Sequence, residues 1–290
     1  MNTVVLNQSN IVSGSNNSSL TYKFPNSVLF DNHEIAVQSI SMYYSWQNIN
    51  SSPLANNTFT YSWIVGVTST TYTVTIPDGL YEIAQINAYM QFVMIQNGTF
   101  LINSASQNVY YAEFLVEPTR YAINIITYPV PTSLPVGWTA PVANPQTGAV
   151  AYVGYPTTTF NPVVTIPANF NLIVGYVAGF ATVVNTGVNT ILSYFSTIAP
   201  QVAPVPSLLV TCSNIDNKYS NPSNVIYSVV PDVNFGELLK ITPNEYCFAK
   251  LLNGTQSQIT VSFIGNDFSR VNILDNNMTI ILVIRKKEVL

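Results

Sequence analysis

The sequence predicts an all-β fold, either a sandwich or a barrel. β-Branched and aromatic residues recur in short alternating runs along most of the chain. Asn, Asp, Gly and Pro separate these runs, and only one segment has the three- and four-residue spacing of a helix. The predicted strands are residues 20–24, 35–46, 58–65, 72–76, 110–116, 121–128, 170–177, 207–212, 225–230, 246–251, 258–263 and 278–284.

The one predicted helix begins at Asp78, whose side chain can cap its first turn, and ends at Asn97 and Gly98. Glu82 lies in the first turn, where the positive end of the helix dipole favours an acidic residue. The apolar residues share one face, so we expect this amphipathic helix to lie against a sheet. They are Leu80, Ile83, Ile86, Met90 and Val93.

Two segments differ in composition from the predicted strands. Residues 1–18 are polar, which predicts an extended N-terminal arm. There are 11 prolines between residues 129 and 206, and proline cannot donate a hydrogen bond to a strand ladder. We therefore expect one domain over residues 19–290, with an irregular Pro-rich insertion at about 129–206. The apolar arm residues expected to dock on a neighbouring subunit are Val4, Val5, Leu6, Ile11 and Val12.

Charge is scarce in this chain. Asp, Glu, Lys and Arg make up 8% of its 290 residues, whereas about a quarter is usual. A net charge of −4 argues against a main role in binding phosphate backbones. Residues 35–77 and 121–215 contain no charged side chain and no histidine. Protein interfaces are depleted in charge and enriched in Tyr, of which this chain has 18, so we interpret these surfaces as contacts with other chains.

Few residues offer catalytic or metal-binding chemistry. The single histidine, His33, lies with Asp31 and Glu34 in a predicted turn. An acid/base or metal group is one interpretation of that turn, and a solvated turn is the one we favour. Cys212 and Cys247 have no companion ligands, which predicts two buried free thiols. No catalytic or nucleotide-binding motif is present, so we expect a protein that is not an enzyme and needs no cofactor or metal.

The basic residues cluster at the C-terminal end. Arg285, Lys286 and Lys287 follow the predicted strand 278–284. One interpretation is a solvated terminus that prevents an apolar edge strand from pairing with other chains. The other is a terminus on the inner side of an assembly, where it attracts an acidic partner or packaged nucleic acid weakly and in a salt-sensitive way.

Six segments of the sequence resemble the jelly-roll capsid proteins of virophages and Polinton-like viruses. The resemblance spans most of the chain outside residues 129–167. The segments are residues 22–26 (YKFPN), 35–49 (IAVQSISMYYSWQNI), 79–87 (GLYEIAQIN), 169–176 (NFNLIVGY), 207–214 (SLLVTCSN) and 275–282 (DNNMTIIL).

The resemblance implies a jelly-roll β-sandwich with one amphipathic helix and the Pro-rich insertion. Major capsid proteins of this lineage are double jelly rolls and need far more residues than 290, so the length implies a penton (minor capsid) protein. Such a subunit forms a homopentamer that closes an icosahedral vertex and contacts double jelly-roll trimers of the major capsid protein. The resemblance also implies synthesis in the host cytoplasm and location in the virion. There, weak contact with packaged DNA is the second interpretation of the C-terminal basic residues.

A second function fits the same composition. The chain is alternatively a carbohydrate- or receptor-binding β-sandwich of a virion, such as a fibre or lectin-like module, with aromatic side chains that stack on a ligand. Trp138 is the strongest candidate for an exposed ring because it lies in the Pro-rich region, although burial within the insertion is the interpretation we favour for it. The full set is Trp63, Trp138, Tyr152 and Tyr155.

Overall fold

The computed structural model describes residues 1–183, 185–187, 189–202, 205–215 and 217–287. The chain divides into two compact units. Unit 1 comprises Met1–Gln47 and Val205–Leu290, and unit 2 comprises Asn48–Pro204. Unit 2 is therefore an insertion into the chain of unit 1.

The elements follow one another in this order. The first part of unit 1 contains β1 (Asn2–Leu6), β2 (Ser19–Phe30) and β3 (His33–Tyr43). Unit 2 contains β4 (Thr58–Val65), β5 (Thr68–Thr75), α1 (Ile83–Gln96), β6 (Leu101–Ile102), β7 (Asn108–Val109), β8 (Ala112–Glu117), β9 (Ala122–Thr127), β10 (Phe160–Asn161), β11 (Val164–Ile166), α2 (Asn171–Val174), β12 (Phe180–Ala181), β13 (Asn185–Thr186) and β14 (Leu192–Phe195). The second part of unit 1 contains β15 (Leu208–Cys212), β16 (Val225–Val229), β17 (Leu238–Ile241), β18 (Ala249–Lys250), β19 (Gly254–Ile264) and β20 (Thr279–Lys286).

Unit 1 consists of two antiparallel sheets with jelly-roll pairing. One sheet has the order β1–β20–β3–β17, and the short β18 also pairs with β3. The other has the order β16–β15–β19–β2. If β17 and β18 are taken as one interrupted strand, the strands in chain order form sheets 1-8-3-6 and 2-7-4-5. This is the order of an eight-stranded jelly roll, so the all-β jelly-roll prediction is confirmed.

The two sheets of unit 1 enclose one apolar core. Leu6, Ile35 and Leu282 come from the first sheet, and Val210 and Phe263 come from the second. All five side chains are almost completely buried. Burial of each such side chain contributes about 1.5–3 kcal/mol, so the pairing of the sheets is driven by this shared core.

The N-terminal residues differ from the predicted arm. Residues 2–6 form β1, which pairs antiparallel with β20 at the edge of the first sheet. Val4 and Leu6 point into the core of unit 1, and Ile11 packs against it. Successive side chains of a strand point to opposite faces of the sheet, so a segment that is polar overall can still form a strand. Here the two inward side chains, Val4 and Leu6, hold β1 on the core. Val5 and Val12 remain exposed.

Strand β2 is longer than predicted and contains Pro25. It is the edge strand of its sheet and pairs with β19 alone. Its register with β19 is interrupted between Lys23 and Val28, which face Gln258 and Gln256. Pro25 falls within this irregularity, where a missing N–H breaks no ladder hydrogen bond.

Unit 2 contains the predicted amphipathic helix against two sheets. These sheets have the orders β12–β11–β4–β5 and β14–β9–β8, beside the smaller pairs β6–β7 and β10–β13. Helix α1 shares a core with Phe59 of β4, Phe114 of β8 and Ile125 of β9. In the part of the chain that the structure describes, neither helix is both long and apolar enough to span a membrane. The buried residues of α1 are Ile83, Ile86, Met90 and Met94.

Helix α1 begins later than predicted. Its N-cap residue is Glu82, whose N–H donates to Gln85 Oε1 at 2.8 Å. The side chain of Asp78 accepts hydrogen bonds from the N–H and the hydroxyl of Ser51. An Asp side chain accepts backbone hydrogen bonds in loops as well as at helix N-termini. The sequence pattern therefore predicted the helix correctly but not its first residue.

The inserted segment is also larger than the Pro-rich insertion predicted at about 129–206 within a domain of residues 19–290. It begins at Asn48, well before the prolines. Strands β4, β5, β8 and β9 have the alternation of sandwich strands, and alternation does not reveal which sheet a strand joins. The boundary between the two units follows strand pairing: these four strands pair with one another or with other strands of unit 2, and none of them pairs with β3.

One predicted strand is helical. Residues 170–177 contain α2, which ends at Gly175 with φ +74°. A Cβ at Gly175 would lie 2.3 Å from the carbonyl oxygen of Ile198, so only glycine fits this close approach. Short apolar runs are ambiguous between strand and helix by periodicity alone.

Hydrogen bonds hold the ends of the insertion together within each unit. In unit 1, Trp46 Nε1–H donates to the Val205 carbonyl at 3.3 Å, and the Trp46 side chain is buried. In unit 2, Asn48 Nδ2–H donates to the carbonyls of Val202 and Tyr81. An inserted domain is tolerated when its two ends are close together. The hydrogen bonds of Trp46 and Asn48 keep the start and the end of the insertion close.

Gly98→Ala is expected to destabilise unit 2. Gly98 follows α1 with φ +62°, and an added Cβ would lie 2.2 Å from the Ala151 carbonyl oxygen. Gly179→Ala is the matched control, because Gly179 has φ +74° with no atom within 4 Å of its Cβ position. Left-handed backbone costs either variant about 1–3 kcal/mol, but only Gly98→Ala adds a backbone clash.

Differential scanning calorimetry should therefore show a larger fall in melting temperature for Gly98→Ala than for Gly179→Ala, by at least about 4 °C. Equal falls for the two variants would contradict the close packing of the Pro-rich segment on the end of α1.

Candidate functional site

Charged residues are distributed unevenly between the two units. Unit 2 spans more than half of the chain but has only five charged residues. At least four of these are engaged within the unit. Asp78, Glu113 and Glu117 accept side-chain hydrogen bonds from Ser51, Tyr128 and Thr119, and Arg120 lies 4.3 Å from the centre of the Phe195 ring. The five are Asp78, Glu82, Glu113, Glu117 and Arg120.

An apolar groove of about 720 Å³ lies on unit 2, between the end of α1 and the Pro-rich segment 141–150. Among the residues that the structure describes, no charged side chain lines it. Val142 is 81% exposed, and Phe92 and Val150 are each about half exposed. Exposed apolar surface of this kind marks contact sites, because lone soluble chains seldom keep it open to water.

Backbone hydrogen bonds fix the walls of the groove. Val150 N–H donates to the Gln96 carbonyl at 3.1 Å, and Val153 N–H donates to the Gly98 carbonyl at 3.2 Å. The segment folds back on itself where Asn144 pairs with Ala149. The groove is therefore a preformed feature, and a partner that filled it would not have to order it first.

The aromatic residues expected to stack on a ligand are part of a buried cluster instead. Trp63 is completely buried and meets Tyr111 and Tyr152 edge to face, with ring centres 5.7 and 6.3 Å apart. Burial raises the pKa of the Tyr152 hydroxyl, and Tyr155 lies against Tyr152 with ring centres 4.7 Å apart. Trp138 is half-buried and packs against the same cluster. Trp63 belongs to the core and the other three pack against it, partly buried, so the four form no exposed aromatic platform for a ligand.

The C-terminal basic residues are partly neutralised. Arg285 Nε–H and Nη2–H donate to Glu34 Oε2 at 3.2 and 3.1 Å, and the guanidinium lies 3.6 Å from the centre of the Phe248 ring. Lys287 Nζ is 3.7 Å from Glu34 Oε1. Lys286 is exposed and alternates with Arg285 along β20, so the two side chains leave the strand on opposite faces. The sequence identified the cations but not Glu34 as their partner.

The only histidine lies at the start of β3, directly after a tight turn. Asp31 and Asn32 form the two-residue hairpin loop between β2 and β3, and Asn32 has φ +54°. His33 Nδ1 accepts a hydrogen bond from Asp31 N–H at 3.1 Å. Within the described ranges, no three His, Cys, Asp or Glu side chains are placed to bind a metal ion.

The two cysteines lie in different environments. Cys212 is in the core of unit 1, and burial raises the pKa of its thiol to about 11. Cys247 is exposed, which corrects the prediction of two buried thiols. The sequence around Cys247 is polar on one side and apolar on the other, so local pattern did not decide its exposure.

No family model and no curated protein sequence matches this chain. Among solved structures, the chain is similar to the mavirus penton protein, with 9% sequence identity and a TM-score of 0.37 over 99% of this chain and 98% of that one. It is also similar to a chain in the structure of the Sputnik virophage, with 11% identity and a TM-score of 0.38 over 99% and 98% of the two chains. Both TM-scores are low, and the fold assignment rests on the strand pairing of unit 1.

A thiol reagent near neutral pH is expected to modify Cys247 in the native chain and to leave Cys212 unmodified, because the thiolate is the reactive form and Cys212 is buried. Counting modified thiols by mass spectrometry should give one per native chain and two after unfolding. Cys247→Ser should abolish the native reaction and Cys212→Ser should not. Equal reaction of both thiols in the native chain would contradict the placement of Cys212.

Proposed function

We propose that this chain is a structural subunit of a viral capsid, a penton or minor capsid protein, and that it is not an enzyme. Three observations support the proposal: the jelly-roll pairing of unit 1, the scarcity of charge on unit 2, and the resemblance of the sequence to virophage capsid proteins. Jelly rolls build viral capsids, but they also occur in other proteins, so the fold alone leaves the function open.

The observation that carries the proposal is the charge-poor surface of unit 2 with its exposed apolar groove. A soluble monomer uses Lys and Glu to keep its surface wet and to prevent association. Unit 2 has very few charges, and it exposes Val142, Phe92 and Val150 together. This composition is that of an interface core, in which charged residues are depleted.

In this proposal unit 2 supplies the contacts between subunits. Five copies form a ring when each interface is heterologous and the rotation between neighbours closes after five steps. A stable interface of this kind buries on the order of 2,000 Å². The ring closes a vertex and contacts the trimers of the major capsid protein, which gives the chain its location in the virion after synthesis in the host cytoplasm.

Unit 1 has a different part in the proposal. It carries 17 of the 22 charged residues of the chain, so its surface suits contact with water or with charged partners. Its edge strand β1, with exposed Val5, offers one further place for a neighbouring subunit to pair, and Val12 lies exposed nearby in the sequence.

Native mass spectrometry of the purified chain over a range of concentrations tests the proposal. We expect a species of five times 31.8 kDa whose share rises with concentration. If the isolated chain stays monomeric, the same species should form when the major capsid protein is added. A chain that remains monomeric with and without that partner would contradict the proposal.

Val142→Asp is expected to weaken the oligomer at least about tenfold, because it places a charge in the apolar groove without a partner. Val230→Asp is the matched control: Val230 is 65% exposed in unit 1, and the chemical change is the same. Mass spectra of the two variants at equal concentration should show loss of the oligomer for Val142→Asp alone. Equal loss for both would place the contacts elsewhere than in the groove.

A further inference from the structure

Strand register brings three charged side chains into one row in unit 1. Glu34 on β3 faces Lys250 on β18 on one side and Arg285 on β20 on the other. Directly opposed residues of antiparallel strands point to the same face of a sheet. The neighbouring Ile35 and Ile284 point into the core, so the row lies on the outer face of the first sheet.

A pocket of about 440 Å³ adjoins this row. Lys218, Lys250, Lys287 and Glu34 contribute to its lining, and Arg285 is bonded to Glu34 directly beside it. Four cations thus surround one carboxylate among the described residues, in a chain whose net charge is −4. We call Lys218, Lys250, Lys287 and Arg285 around Glu34 the basic pocket.

The single carboxylate of the basic pocket does not cancel its positive charge. Glu34 is only 9% exposed, and its two oxygens are taken by Arg285 and Lys287. In the part of the chain that the structure describes, Lys218 and Lys250 form no salt bridge. Glu34 therefore anchors two cations in position while the group as a whole remains positive, which attracts a polyanion.

Exposed aromatic side chains accompany these cations. Tyr219 is fully exposed beside Lys218, on a turn in which Asn217 accepts a hydrogen bond from Tyr219 N–H at 3.2 Å. Tyr246 is 40% exposed and packs against Phe248 at 5.8 Å between ring centres. Cations interleaved with exposed aromatic rings are typical of surfaces that bind single-stranded nucleic acid, where phosphates meet the cations and bases stack on the rings.

We propose that the basic pocket binds the phosphate backbone of a single-stranded nucleic acid segment, with Tyr219 stacking on an unpaired base. An acidic peptide would satisfy the cations but would leave the exposed tyrosine without a role. Binding is a property of the isolated chain, so this proposal goes beyond the proposed function and does not depend on it. The contact is weak and independent of sequence, with Kd on the order of 10⁻⁴–10⁻⁶ M at physiological salt.

Fluorescence anisotropy of a labelled single-stranded oligonucleotide, titrated with the full chain over a range of salt concentrations, measures this binding. The combined variant Lys218→Gln, Lys250→Gln and Lys287→Gln should bind at least about tenfold more weakly. The slope of log K against log salt should become shallower by about 2, since each lost phosphate contact on a single strand removes about 0.7.

The matched control replaces three other cations of unit 1 and has the same total charge: Lys23→Gln, Lys240→Gln and Arg270→Gln. None of these three residues lines the pocket. The control should change the affinity less than about twofold. Circular dichroism melting of both variants verifies that each is folded at the temperature of the titration.

Two further variants test the separate contributions of the exposed tyrosine and of the carboxylate. Tyr219→Ala should weaken binding about fivefold or more with an unchanged salt slope, because stacking involves no counterion release. Glu34→Gln should strengthen binding, because it removes the only carboxylate among the described residues of the pocket.

Three results would overturn the proposal: no anisotropy change even at low salt, equal losses for the pocket variant and the control, or equally good displacement of the oligonucleotide by polyglutamate of the same charge. The last result would assign the pocket to an acidic protein. Native mass spectrometry of the same variants distinguishes this proposal from the proposed capsid function. A variant that loses nucleic acid binding but still forms oligomers affects the pocket and not the assembly.

Discussion

The pairing of β3 with β20 is the interaction on which the rest of unit 1 depends. Strand β3 lies inside its sheet. It pairs with β20 along one side and with β17 and β18 along the other. Its partners come from the last 53 residues of the chain, after the whole of unit 2. The sandwich therefore closes only when the two ends of the sequence meet, and closing so long a loop must be offset by the core that the sheets then share. Once β20 is in place, β1 pairs with its free edge, and Glu34 comes between Lys250 and Arg285.

The insertion of unit 2 is compatible with this closure because each unit secures its own end of the junction. Trp46 holds Val205 in unit 1, and Asn48 holds Val202 in unit 2. The two units can then differ in surface chemistry. Unit 1 keeps most of the charge of the chain and, through strand register, concentrates cations at one pocket. Unit 2 is almost free of charge and exposes an apolar groove with fixed walls. One surface suits a polyanion, and the other suits protein neighbours.

Much of the secondary structure could be predicted from local pattern. Residues 58–65 were predicted as a strand and are β4, and Asn97 and Gly98 end α1 as expected. Pairing could not be predicted, because alternation says which residues face inward but not which strand lies next to them. That is why β4 and β5 were placed in the jelly roll and β1 was taken for an arm. The same limit applies to the basic pocket: Arg285, Lys286 and Lys287 stand out in the sequence, but Lys218 and Lys250 join them only through contacts with residues far away in the chain.

The central claim is that unit 2 provides the assembly surface of this chain. Hydrogen–deuterium exchange of the free chain and of the chain in its assembled particle tests that claim most directly, because burial at an interface slows exchange of the amides that it covers. The account predicts that protection increases most at the end of α1 and in residues 141–153, around the apolar groove. Unchanged exchange in these segments, with new protection confined to unit 1, would contradict it.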